Sequence, residues 1–339
     1  MLARIAQELF WLGRDLARAE HTARMLDGAF HADVAGVAGE RGIALSWEGV
    51  VAVIGAKPSG HRTPEEGPDT AAPGGRSPGE VARGRGEVAS LLTLDTDSPA
   101  SIVSCVARAR ERARVLRDVI STEMWEALNS FYLSLGRADL HAALLSGPYS
   151  VYQAVKERCA LFWGLVDRTM LRDEGRSFLE AGGRIEEADM VLRMLRVAIP
   201  TRELDLPPPD DEPGEPGYEG EALALLQAVG GIQAYRRATP HAPSLSTVAR
   251  FLLYESSYPG SVASSLETLR DALATADPQP RSSPPVLRLG RLIADLELHR
   301  RTSSSPSQML GRVQDELELV DRDIDERYFA IAALAAVHL

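Results

Sequence analysis

Ile5, Leu9, Leu12, Leu16, Ala19, Ala23 and Leu26 follow one another at intervals of 4, 3, 4, 3, 4 and 3. An α-helix makes a turn every ~3.6 residues, so this spacing lines one face of a helix and no face of a strand. Leu310, Val313, Leu317, Val320 and Ile324 repeat the pattern near the C-terminus. Period-two alternation is nowhere sustained. The expected fold is therefore all-α, a helical bundle. Ser98-Pro99, Tyr258-Pro259 and Ser305-Pro306 mark three further helix starts, because proline suits a first helical turn. Pro- and Gly-rich stretches at 56–86, 205–217 and 277–285 interrupt the helices. The first is polar and reads as a flexible loop. The second is acidic, and too rich in proline to be helical throughout.

The chain also resembles itself. GRDLARAEHTARMLD at 13–27 can be laid on GGRIEEADMVLRMLR at 182–196. Gly13, Ala19, Arg24, Met25 and Leu26 then meet Gly182, Ala188, Arg193, Met194 and Leu195, and Glu20 meets Asp189. LLTLDTDSPASI at 91–102 lies on FLLYESSYPGSV at 251–262, with Pro99 and Ser101 opposite Pro259 and Ser261. LVDR at 165–168 recurs at 319–322. Three matches in one order suggest a tandem duplication dividing the chain near residue 174. Residues 1–173 and 174–339 would be pseudo-repeats of about four helices each, sharing one helical body.

Composition narrows the function. Of 339 residues, 45% are hydrophobic and 25% charged, enough apolar content for a core. Acidic residues outnumber basic ones 48 to 37, which disfavours a nucleic-acid partner, since that affinity comes from neutralising phosphates. Lys57 and Lys156 are the only lysines. So general an arginine bias is compositional, and only position can give one arginine a role. The opening residues do not read as a signal peptide, and no apolar run approaches the ~20 residues of a membrane helix. A cytoplasmic protein without membrane contact is expected. Cys105 and Cys159 form no metal-binding or disulfide pattern.

Two segments carry candidate chemistry. On the first helix Arg14, Arg18, His21 and Met25 lie opposite the apolar stripe, flanked by Phe10 and Trp11. Aromatic residues opposite a core face predict a helix buried on both sides. Arginines there need carboxylate or ligand partners. Glu20 stands four residues before Arg24, a favourable order for an ion pair. In ARARERARVLRDVISTEMWE at 107–126, Arg110, Arg114 and Arg117 share one helix face, and Arg108 and Arg112 another. Ser121 or Thr122 would cap the following helix, placing Glu123 in its first turn. These arginines suit an anionic ligand or an internal salt-bridge network. No phosphate-binding GxxxxGK[ST], HExxH or ExxH pattern is present, so neither a metal site nor a cofactor is expected.

LFWLGRDLARAEHTARMLD at 9–27 resembles the opening motif of the bacterial alpha-E family, an all-helical family named for a Glu-Arg motif. The resemblance continues through 107–133, 169–190, 248–262 and 289–297. The family's first LERAE-like motif stands here as LARAE, with Ala17 in place of the glutamate. The second, IERAD-like copy stands as IEEAD, with Glu187 in place of the arginine. Together the copies still supply Arg18 and Glu186, so a cross-repeat Arg18–Glu186 pair is expected. The resemblance implies companions, namely an ATP-grasp-like amidoligase and a transglutaminase-like peptidase. It implies a role in peptide synthesis or modification through amide bonds.

The first reading is a non-catalytic helical partner that positions a carboxylate-bearing substrate for such a ligase. Its ligand-binding residues would be Arg14, Arg18, Glu20, Arg110, Arg114, Arg117 and Asp189. The second is an enzyme acting on an aminoacyl or peptidyl substrate, with Glu123 and Glu186 as catalytic candidates. The third is a purely structural interaction protein. A homo-oligomer is compatible with all three.

Overall fold

The apolar stripe that begins at Ile5 belongs to α1 (Ala3–Val34), which at ~1.5 Å per residue is about 48 Å long. Leu9, Leu12, Leu16, Ala19, Ala23 and Leu26 are fully buried on one side, and Phe10 and Met25 on the other. The expected two-sided burial is therefore observed. The computed structural model describes residues 1–34, 45–55, 78–136, 140–201, 219–302 and 306–330. Among them there are helices and no strands, so the fold is all-α.

In the first half α1 is followed by α2 (Trp47–Ile54), α3 (Pro78–Thr93), α4 (Ile102–Val115), α5 (Thr122–Leu135), α6 (Leu140–Ser146) and α7 (Pro148–Thr169). The second half runs α8 (Glu174–Ala198), α9 (Glu219–Val229), α10 (Ile232–Ala238), α11 (Leu245–Tyr254), α12 (Val262–Ala276), α13 (Pro284–Thr302) and α14 (Pro306–Ile324). A single π-helical turn, Asp325–Phe329, closes it. The two motif helices, α1 and α8, form the central pair. Helices α4, α5 and α7 pack in succession beside α1, and α12, α13 and α14 beside α8. The covers cross over: α9 lies on α1, and α2 on α8.

Glycine lets the central pair approach. A methyl on Gly13 would stand 2.1 Å from the Leu179 carbonyl oxygen, and one on Gly182 1.8 Å from that of Phe10. Each helix thus touches the other's backbone where no side chain fits. Two covering helices end alike, on left-handed glycines: Gly55 after α2, with φ 72°, and Gly230 after α9, with φ 71°. Gly55 faces Arg193 and Gly230 faces Arg24. Phe329 ends the described chain against the rings of Phe10 and Phe178, at 5.5 and 6.0 Å. Asp277 fixes that turn by accepting from Arg327 and Tyr328.

Three expectations need correction. Residues 78–86 are not loop: they open α3, whose alanine, arginine, glutamate and leucine residues sustain a helix despite Gly84 and Gly86. The rest of the 56–86 stretch, 56–77, lies outside the described residues, as do 205–217. Pro99 and Pro259 do not occupy first helical turns. They sit two residues before Ser101 and Ser261, whose hydroxyls cap α4 and α12 by accepting from the Ser104 and Ser264 amides at 3.2 and 3.1 Å. Pro306 does begin α14. Finally, each half contributes more than four described helices, because short helices such as α2, α6 and α10 carry too few turns to show a stripe.

Candidate functional site

Glu186 is the centre of the α1–α8 contact. Its side chain is fully buried, and its two oxygens accept from different arginines of α1: Oε2 from Arg14 Nε at 3.0 Å, Oε1 from Arg18 Nε at 2.5 Å. The expected cross-half Arg18–Glu186 pair is present. Arg14 continues to α14, where Nη1 donates to Asp321 at 2.9 Å. Its guanidinium also lies over the Trp11 ring, 4.7 Å from the centroid. Burial pushes the Glu186 carboxyl up, but the charges of Arg18 and Arg14 pull harder and hold it below its ordinary 4.5. Burial likewise opposes the Arg14 charge, and Glu186 and Asp321 more than offset it. Arg14, Arg18 and Glu186 therefore stay ionised, which is the condition for burying them.

The remaining candidates are distributed more widely. Glu20 accepts from Arg24 Nη2 at 2.7 Å, and Asp189 pairs with Arg193 at 2.8 Å, the same i,i+4 arrangement on α1 and on α8. Burial raises the Asp189 carboxyl against the pull of Arg193. Arg110 donates to Asn129 and lies over Tyr132, while Arg117 lies over Trp125, 4.2 Å from its centroid. Arg114 pairs with Glu111 at 2.8 Å. The face of α4 that reaches the motif helix is the other one: Arg108 and Arg112 both hold buried Asp15 of α1, at 2.7 and 3.2 Å. Arg108 and Arg112 therefore join α4 to α1, and Arg110 joins it to α5. Ser121 caps α5 as expected, and Glu123 stands exposed in its first turn, outside the Glu186 cluster.

The best-formed cavity lies on the opposite flank of the α1–α8 crossing and measures about 480 Å³. Ala17, Glu20, His21 and Arg24 of α1 face Gly183, Arg184 and Glu187 of α8 across it. Trp163 and Asp167 of α7 form one end, and Gly230 with Tyr258 the other. Arg176 and Glu180 complete a wall of alternating charge. Arg184 Nη1 donates to Glu187 Oε2 at 2.7 Å, and Arg176 Nη2 to Asp167 Oδ1 at 2.9 Å. The Tyr258 hydroxyl donates to the Val229 carbonyl at 2.7 Å, and burial pushes it up to about 12. His21 is 8% exposed, and its Nδ1 is buried without a hydrogen-bond partner among the described residues.

Of the ligand-binding and catalytic candidates only Glu20 lines this cavity, with His21 and Arg24 of the same helix beside it. Arg14, Arg18, Glu186 and Asp189 belong to the central pair without reaching it. Arg114 borders a separate open depression with Arg108 and Arg112. Trp163, Asp167, Arg176, Glu180, Arg184 and Glu187 escaped the sequence reading. Two signals pointed at them: Asp167 sits in the recurring LVDR, and Glu187 is the residue that departs from the motif.

The family's sequence profile, described as a predicted alpha-helical domain with a conserved ER motif, matches residues 1–329. The chain belongs to the Alpha-E family. Three curated mycobacterial proteins are similar: the uncharacterized proteins Mb2597 of Mycobacterium bovis, and MT2643 and Rv2567 of Mycobacterium tuberculosis. Each is 26% identical over 184 residues, which is 53% of this chain. The match spans only 20% of the length of each relative. No solved structure matches the chain. In this Alpha-E protein Arg14, Arg18 and Glu186 meet in one buried cluster between α1 and α8.

Proposed function

We propose that this Alpha-E protein is a non-catalytic binding module whose cavity holds a carboxylate-bearing amino acid or short peptide. In this reading it presents the ligand to an amide-bond-forming, ATP-grasp-like partner. The observation that carries the reading is the cavity wall, where Arg24, Arg176 and Arg184 interleave with carboxylates beside two aromatic side chains. Arginine's planar fork suits a carboxylate, and a mixed wall suits a ligand with charges of both signs. A cavity of this volume falls within the ~300–1,000 Å³ of small-ligand sites. Neither cysteine offers a nucleophile: burial pushes the Cys105 thiol up to about 12 and Cys159 well above its ordinary value.

Calorimetric titration with a dipeptide and with its C-terminal amide tests the reading. The free acid binds at least tenfold more tightly, because the amide cannot accept a bidentate guanidinium. Equal affinities would remove carboxylate recognition. One observation favours a second reading, an enzyme in its own right. His21 Nε2 stands 3.9 Å from Glu187 Oε1, an arrangement open to general-base chemistry. Turnover of an aminoacyl or peptidyl substrate by the purified chain, lost in His21→Gln, would establish that reading instead.

A further inference from the structure

Two flanks of the α1–α8 crossing can be compared position by position. The self-match of the sequence pairs Arg14 with Gly183, Ala17 with Glu186, Arg18 with Glu187, and Asp167 with Asp321. One flank holds Glu186, Arg14, Arg18 and Asp321, joined by hydrogen bonds. Exchanging each residue for its counterpart gives Ala17, Gly183, Glu187 and Asp167. All four line the cavity. The serine caps of α4 and α12, the facing glycines Gly13 and Gly182, and the left-handed glycines beside Arg24 and Arg193 obey the same pairing. The cavity flank has thus lost both guanidinium positions, one to glycine and one to glutamate, and the Glu186 position to alanine; it keeps one carboxylate in place, Asp167, and gains another, Glu187.

We propose that the cavity, the counterpart of the Arg14–Arg18–Glu186–Asp321 cluster without its arginines, binds a ligand cation, guanidinium or alkylammonium, on Glu187. This rests on the reading of the cavity as a carboxylate-ligand site and names the ligand's other charge. Glu187 is prepared for it. Oε2 accepts from Arg184, whereas Oε1 has no hydrogen-bond partner among the described residues, His21 at 3.9 Å being too distant. Glu186 on the filled flank, by contrast, uses both oxygens. A methyl on Gly183 would stand 2.9 Å from the Trp163 ring, so the indole covers the position that corresponds to Arg14. Trp163 and Tyr258 supply aromatic walls, which favour cations. The ligand class is an arginyl- or lysyl-type amino acid or peptide with a free carboxylate.

Calorimetry with glycyl-arginine, glycyl-lysine and glycyl-citrulline tests this, citrulline being the neutral isostere of arginine. All three carry the same carboxylate, so their differences report the cation alone. Glycyl-arginine or glycyl-lysine should bind at least tenfold more tightly than glycyl-citrulline, and Glu187→Gln should erase that preference. Ala17→Arg, which lends the chain its own cation beside Glu187, should abolish binding without lowering Tm. It serves as the second variant should Glu187→Gln fold poorly. Equal affinity for the arginyl and citrullyl peptides overturns the cation site while leaving carboxylate recognition standing. Absence of binding by all three at millimolar concentration overturns both. Binding unchanged in Ala17→Arg shows that the peptide sits elsewhere and overturns the proposal.

Discussion

Glu186→Gln removes the charge at the centre of the molecule and changes almost nothing in shape. Two guanidiniums then share one neutral amide. Arg14 keeps Asp321 at 2.9 Å, and the Arg18 side chain is 28% exposed, so water relieves part of the loss. Removing one partner of a buried ion pair costs about 3–5 kcal/mol, and these reliefs place this case near ~3 kcal/mol. At ~2.1 cal/mol/K per residue, 339 residues give an unfolding entropy of about 0.7 kcal/mol/K. The expected fall in Tm is therefore about 4 °C by scanning calorimetry at pH 7. The pH dependence supplies a second readout. Because the folded carboxyl is held below its ordinary 4.5, its contribution is complete above that value. It is lost as pH falls through the folded value. The gap between wild type and variant should be constant from pH 7 down to about pH 5, and should narrow below 4.5. An unchanged Tm at pH 7, or a gap that widens in acid, would refute the reasoning.

Three further outcomes follow from the packing and the site. Gly182→Ala should destabilise the fold by at least ~3 kcal/mol in urea titration, since its methyl meets the Phe10 backbone and not a flexible side chain. Gly164→Ala meets nothing within 4 Å in a helix interior and should stabilise by about 0.5–1 kcal/mol in the same assay. Neither thiol should react with an aromatic disulfide reagent in the native protein, and both should react in denaturant, because both cysteines are buried. Arg184→Gln should weaken a carboxylate-bearing dipeptide by about tenfold or more in calorimetric titration, matching the ~1.5–3 kcal/mol of a charged hydrogen bond.

Long helices were the readable part of the sequence, because a stripe of seven positions such as Ile5 to Leu26 has one periodic explanation. The Arg18–Glu186 pair was readable for a different reason: each motif copy had lost one member, and the two survivors complement each other. The short helices were not readable, since eight residues such as Trp47–Ile54 give two turns and no periodic signal. Proline position misled by two or three residues at Pro99 and Pro259. The turn before a serine cap accommodates proline as well as a first helical turn does. The arginines at 110, 114 and 117 showed a shared face but not what covers it, and aromatic side chains of α5 meet two of them. The cavity was the least legible feature. Its residues come from α1, α7, α8 and the turn before α12, and only folding brings those segments together.

The most direct test of the account is a crystal structure of the protein with glycyl-arginine at saturating concentration. The account places the peptide in the cavity between α1 and α8. Its guanidinium would lie within hydrogen-bond distance of Glu187 and its carboxylate on an arginine of the wall. A cavity closed by the protein's own side chains, or the peptide seated on another surface, would contradict it.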